Sequence, residues 1–336
     1  MKDKKFLKKI IFAAALLAII LTVPIVLKGY SMRVINVAVI FGIVAYGISV
    51  MLGMGGQMSF ASVSFMGAGA YFAANMCTGR LGINMPALGA LLLTPIVFAA
   101  VGYVIGLVLF KLSGTYFTFA TIALVQVAYT FYNNFKPLFG GADGISGIPA
   151  LSLFGFELRT TNQWFYIIAA FAVITALIVE RIRKTQLGRS LASIRDNETA
   201  ALTLGVNTYK TKVIAFSIAA ALSAFAGALW CFHGKFVGAD MFNYANAAQF
   251  VIMAMLGGVN STAGVMVGSV LVNILPEVLR SLQNYMQLFW GIAIIVLMVF
   301  MPEGLAGLLG RLKEKAGRKK SDKKEDKEGA ESAANS

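Results

Sequence analysis

Charge is what this sequence has least of. Asp, Glu, Lys and Arg make up 13% of its 336 residues, against about 25% in soluble domains, so most of the chain is not built to face water. Long stretches hold no Asp, Glu, Lys, Arg or His, among them 34–79, 112–135, 163–179, 213–232, 241–276 and 281–302. Proton relays and ion-coupled carriers place such groups inside their spans. Without them, solute either moves passively or is driven by work from another subunit. A Na⁺ site made only of carbonyls and hydroxyls is the carrier design left open.

Histidine and cysteine are scarcer still. His233 stands alone, and Cys77 and Cys231 form no CxxC, which excludes the usual zinc sites. The two cysteines fall near helix ends on the same expected side. A disulfide is open to them, with small apolar core residues as the plainer reading. The apolar stretches offer no paired carboxylates, no Ser–His pair and no phosphate-binding glycine loop, so an enzyme is disfavoured. The chain is expected to bind no cofactor itself. The net charge of +14 sits in blocks without the interleaved aromatics of a nucleic-acid binder, so nucleic acid is not an expected partner.

What the chain has in abundance is apolar length: 58% of its residues are hydrophobic and its mean hydropathy is +0.76. At about 20 residues per span, the pattern predicts spans at 10–27, 34–52, 57–77, 87–109, 115–133, 163–180, 212–231, a broken stretch at 247–280, and 286–301. The fold class is therefore all-α, a polytopic transmembrane bundle of about nine or ten membrane segments. The permease domain covers 1–310, and 311–336 reads as a disordered, charged cytoplasmic tail. The basic N-terminus leads into an apolar run longer than a signal peptide needs, with no A-x-A site after it, so it is expected to stay as the first span.

Lys and Arg orient the bundle. With the N-terminus in the cytoplasm, only Lys28, Arg33, Arg80, Lys136, Arg159, Lys235 and Arg280 of the 29 basic residues fall on the outer side, as the positive-inside rule requires. Both termini are then cytoplasmic in a plasma or inner membrane. Parity forces 247–280 to start and end outside, so it must be a hairpin or re-entrant pair turning at Gly257-Gly258-Val259-Asn260. A similar break, Gly53-Met54-Gly55-Gly56-Gln57 with Ser59 after it, lies in the first half. Paired breaks of this kind mark transporters built from inverted repeats, and irregular backbone at membrane depth belongs beside a cavity or inside protein. Gly55, Gly56, Gln57, Ser59, Gly257, Gly258 and Asn260 are accordingly the expected path lining. Gln57 and Asn260 either hydrogen-bond a solute or hold backbone freed at the breaks. Gly67 and Gly69 are read as close-packing positions.

The segment 181–211 is the longest polar stretch between spans. From Leu187 to Leu204 it has helical periodicity, with Leu187, Leu191, Ile194, Ala201 and Leu202 near one stripe and Gly205 as a C-terminal cap. Such a helix suits a membrane surface or a groove on a partner. Glu198 breaks the stripe, which favours a protein groove with a basic residue over bare lipid.

Five segments in order now resemble one family, the LivM-like permease subunits of branched-chain amino acid ABC importers. They are LGMGGQMSFASVSFMGAGAYFAA (52–74), GTYFTFATIALVQVAYTFYNN with GGADGISGIP (114–149), LGRSLASIRDNETAALTLGVN (187–207), VIMAMLGGVNSTAGVMVGSVLVNILPEVLR (251–280) and FMPEGLAGLL (300–309). The resemblance implies a LivH-like partner permease, two ABC ATPase subunits that hold ATP and Mg, an extracytoplasmic substrate-binding protein and surrounding lipid. It also implies that 187–205 is the coupling helix, with Gly188, Arg189, Ala192, Ile194, Arg195, Glu198, Ala201 and Gly205 as its coupling residues. A permease for another small polar solute (urea, amides, nucleosides, sugars) and a self-sufficient channel are the alternatives.

Overall fold

In a computed structural model, the structure describes residues 22–24, 29–80, 82–153, 156–158, 160–278 and the single positions 285, 288 and 292. The expected first and last spans fall almost wholly outside the described residues, and the tail falls outside entirely.

The described chain is a helical bundle. Helix α1 (Tyr30–Ile48) runs on as a π-helical turn (Ser49–Met54). It is followed by α2 (Ser62–Cys77), α3 (Ala87–Leu109), α4 (Thr115–Asn134), α5 (Thr161–Lys184), α6 (Gln186–Asp196), α7 (Glu198–Thr203), α8 (Thr208–Gly234), α9 (Tyr244–Gly257) and α10 (Thr262–Val278). Among the described residues, four helices are long and apolar enough to cross a membrane: Tyr30–Met54, Ala87–Leu109, Thr161–Lys184 and Thr208–Gly234. Helix is the natural state of these runs, because a chain without water must satisfy its own backbone groups. Short two-residue strands stitch the loops at one end: β1 (Ile145–Ser146) pairs antiparallel with β4 (Phe236–Val237), and β2 (Ser152–Leu153) with β3 (Phe156–Glu157).

The two ends of the bundle differ. One carries these strands and the 136–160 loop. The other, the basic end, gathers Lys111, Arg181, Arg183, Lys184, α6, α7 and the start of α8. The broken stretch, described as far as Val278, is a hairpin: α9 and α10 run side by side and turn at 258–261. At 14 residues α9 reaches about 21 Å, short of a ~30 Å hydrocarbon core. The expected span at 57–77 begins only at Ser62, because residues 56–60 leave the helix after the π turn.

Helix α8 is the axis, and small residues let its neighbours approach. A Cβ on Gly69 of α2 would meet the Ala224 backbone, and one on Gly227 of α8 would meet the Met66 carbonyl. A Cβ on Gly47 of α1 would lie 2.9 Å from the Ala219 carbonyl, and one on Gly102 of α3 2.5 Å from the Ala220 Cβ. Helices in lipid associate through such close packing and interhelical hydrogen bonds. Two of those bonds are Ser217 Oγ to the Ala99 carbonyl and Ser269 Oγ to the Ala38 carbonyl, both 2.6 Å. Gly67 has a different neighbour from Gly69: the rings of Tyr132 and Phe242, part of an aromatic cluster with Tyr71, Phe139 and Trp230. Cys77 and Cys231 are both buried and unlinked. His233 is held at the loop end by Asn36, 3.3 Å away, and by the edge of Trp164.

Candidate functional site

The two glycine breaks meet at the basic end. Ser49 Oγ, in the π turn, donates to the Val259 carbonyl at 2.6 Å, and Gly53 lies so close to that carbonyl that a Cβ would collide with it. Gly257 packs on the Gly264 and Val265 backbone across the hairpin. Gly56 and Gly258 have φ of +65° and +97°, values open to glycine at little cost. Both breaks are thus built from residues that only work small. A π-helical turn inside an α-helix often sits at a functional position.

Helix α6 seats directly on this junction. Leu191 lies against Gly55, and Arg195 lies over Gly56, where an added Cβ would come within 2.7 Å of the arginine Cγ. Arg195 Nη1 donates to the Gly53 carbonyl at 2.7 Å and to Asn260 Oδ1 at 3.2 Å. A single guanidinium therefore joins α6 to both breaks. A second tie comes from α5: Glu180 accepts from Thr262 Oγ1 at 3.1 Å and pairs with Arg183 and Lys184 at 3.3 and 3.0 Å.

The expected path residues therefore sit at a packed junction. Gly55, Gly257, Gly258 and Ser59 are buried, Gln57 is half-buried and Gly56 and Asn260 are exposed. The Asn260 amide oxygen accepts from Arg195. Gln57 has no side-chain partner among the described residues. Ser59 lines a cavity of about 10 Å³ with Met51, Ser62 and Phe216, room for about one water. A larger cavity of about 400 Å³ opens at the loop end beside Cys77, Asn84, Pro149 and Ser152.

The 187–204 helix is corrected to two. Asn197 is extended (φ −160°) and caps α7 by accepting from the Ala200 N–H at 3.0 Å. The turn rotates α7 relative to α6, so Ala201 stays buried while Leu202 and Leu204 are 54% and 79% exposed. Glu198 needs no basic residue on a partner: it pairs with Lys212 of α8 at 2.6 Å. Of the expected coupling residues, Gly188, Ile194 and Ala201 are buried and hold the segment on the bundle. Ala192 is half-buried, and Arg189, Arg195, Glu198 and Gly205 are exposed. Gly205, at φ +82°, follows the last turn of α7 as its cap position requires.

Ser49, Glu180, Thr262 and Lys212 escaped the sequence reading. Glu180 had a local signal, basic residues three and four positions on. The contacts of Ser49, Thr262 and Lys212 depend on chain folding back over long distances.

The sequence is similar to known permeases along most of its length. It is 28% identical to the high-affinity branched-chain amino acid transport system permease protein LivM of Salmonella typhimurium, over 95% of this chain and 80% of that protein. The LivM of Escherichia coli is 26% identical over 90% of this chain and 76% of its own length. The LivH permease of Escherichia coli is 24% identical over 80% and 91%. No solved structure matches the chain. The family model for the branched-chain amino acid transport system / permease component matches residues 30–302, which takes in every helix that forms the junction, and the chain belongs to that family.

Proposed function

We propose that this chain is one of two permease subunits of an ATP-binding cassette importer for branched-chain amino acids. The second subunit is a LivH-like permease. An extracytoplasmic binding protein delivers the solute, and ATP and Mg are held by separate ATPase subunits. The basic end faces the cytoplasm of a plasma or inner membrane, in keeping with the side on which Lys and Arg collect.

The observation that carries this reading is the Arg195 bridge. The membrane core has no charges through which to take up work, and α6 is the element outside it that touches both breaks. A partner that shifts α6 shifts the Gly53 carbonyl and the hairpin tip with it. Closure of the ATPase subunits can therefore bias a two-state bundle from outside the membrane. The exposed Leu202 and Leu204 give such a partner apolar surface on α7.

The test is purification of the tagged chain in mild detergent, followed by reconstitution with its co-purifying subunits. The expected result is recovery of an ATPase and a second permease, with uptake of leucine that needs ATP and binding protein. Recovery of the chain alone, conducting solute without ATP, would overturn the proposal in favour of a channel.

A further inference from the structure

Helix α4 has two unlike faces. Phe117, Thr121, Val125 and Tyr132 are buried on one stripe. Opposite them Phe119, Ala123, Gln126, Thr130 and Asn134 follow one another at helical spacing and are exposed among the described residues. Gln126 lies eleven residues from Thr115 and eight from Asn134, which places it about 16 and 12 Å from the helix ends, near the middle of the span expected at 115–133. Thr130 Oγ1 donates to the Gln126 carbonyl at 2.8 Å and Asn134 Nδ2 to the Thr130 carbonyl at 3.0 Å, so their own helix satisfies these donors. The Gln126 side-chain amide has no partner among the described residues.

A bare amide in hydrocarbon costs on the order of 2–7 kcal/mol, so this face does not look onto lipid. The exposed faces of α3 and α5 differ in kind. Helix α3 presents Leu92, Ile96, Val104 and Val108 beside the single hydroxyl of Tyr103, and α5 presents Ile174, Leu177 and Ile178. Among the described residues only α4 sets an unpaired amide and a hydroxyl among exposed aromatics, Tyr116, Phe119 and Phe131.

We infer that this face of α4 lines the water-filled solute path, at the seam with the second permease, and that Gln126 is its mid-depth hydrogen-bonding group. The inference rests on the importer reading and moves the path away from the glycine breaks. The stripe's chemistry suits a small zwitterion with an apolar side chain. Its neutral dipoles replace water without the strong hold that a fixed charge would exert in low dielectric, and its rings accept the apolar part.

The test uses the full complex in membrane vesicles, with Gln126→Cys and Thr130→Cys on the stripe and Val104→Cys on α3. Both native thiols are buried, which keeps background low. A charged, membrane-impermeant methanethiosulfonate reacts with thiolate, which forms only where water reaches. Gln126→Cys and Thr130→Cys should label at least about tenfold faster than Val104→Cys, since thiolate is scarce in an apolar setting, and the adduct should block leucine uptake. Equal rates at all three positions, fast or slow, would overturn the inference; equal slow rates would mean that a dry protein contact or lipid covers α4. Loss of ATP dependence with stripe labelling intact would unseat the importer reading and leave the path in place.

Discussion

Arg195 carries the most testable chemistry of any single residue here. Two of its acceptors, Gly53 O and Asn260 Oδ1, lie on segments far apart in sequence, and the third is the neighbouring Asp196 carboxylate at 3.3 Å. Hydrogen bonds from a charged donor contribute about 1.5–3 kcal/mol each, and partial exposure reduces that. Arg195→Ala should leave the complex assembled and lower ATP-driven uptake by roughly tenfold, with ATP hydrolysis less affected, since a loss of about 1.4 kcal/mol is a tenfold change. Uptake and hydrolysis measured in the same vesicles check it; equal losses of both would mean that Arg195 serves assembly instead. The Glu198–Lys212 pair makes a second case. Lys212 is nearly buried and Glu198 about half exposed, so Glu198→Lys leaves two like charges at the α7–α8 contact. The expected outcome is lower thermal stability of the purified complex. The double change Glu198→Lys with Lys212→Glu should recover most of it, as double-mutant cycles read a pairwise term.

At the scale of elements, apolar length and glycine position made much of the bundle legible. The spans at 87–109 and 163–180 meet helices at Ala87–Leu109 and Thr161–Lys184, because 20 apolar residues in lipid have few other forms. The hairpin at 257–260 followed from charge parity alone. The break at Asn197 was missed, because helical periodicity continues across it and an Asn at that point is a cap only if the chain turns. The candidate site was legible in its parts and not in its joints. Both glycine breaks and the α6 segment were visible, while the contacts among them, Ser49 with Val259 or Arg195 with Gly53, depend on register between distant segments. Two measurements probe these elements. Asn197→Ala should cost about 1 kcal/mol as a lost N-cap, seen as a small drop in melting temperature. Gly257→Val places a side chain into the Gly264 backbone, and overpacking of about 1–3 kcal/mol or more should show as sharply reduced yield of folded complex.

The whole molecule is a bundle with one basic end and one end of short strands and loops. The proposed orientation predicts a simple asymmetry. Asn84 and Lys111 are both exposed, at opposite ends of α3. In intact cells an impermeant thiol reagent should label Asn84→Cys and spare Lys111→Cys. Inverted vesicles should give the reverse, and any other pattern would reverse or void the assigned sidedness.

The joint between α5 and α6 sets how force enters this bundle. One residue, Thr185, separates the two helices, and Gly188 lies against the carbonyls of Ile182 and Arg183 with no space for a side chain. On the far side, α7 reaches α8 through four residues, including Gly205. The segment is therefore a crank fixed to one shaft and strapped to another. Under the proposed coupling, a push on it would meet no slack on the α5 side and more on the α8 side.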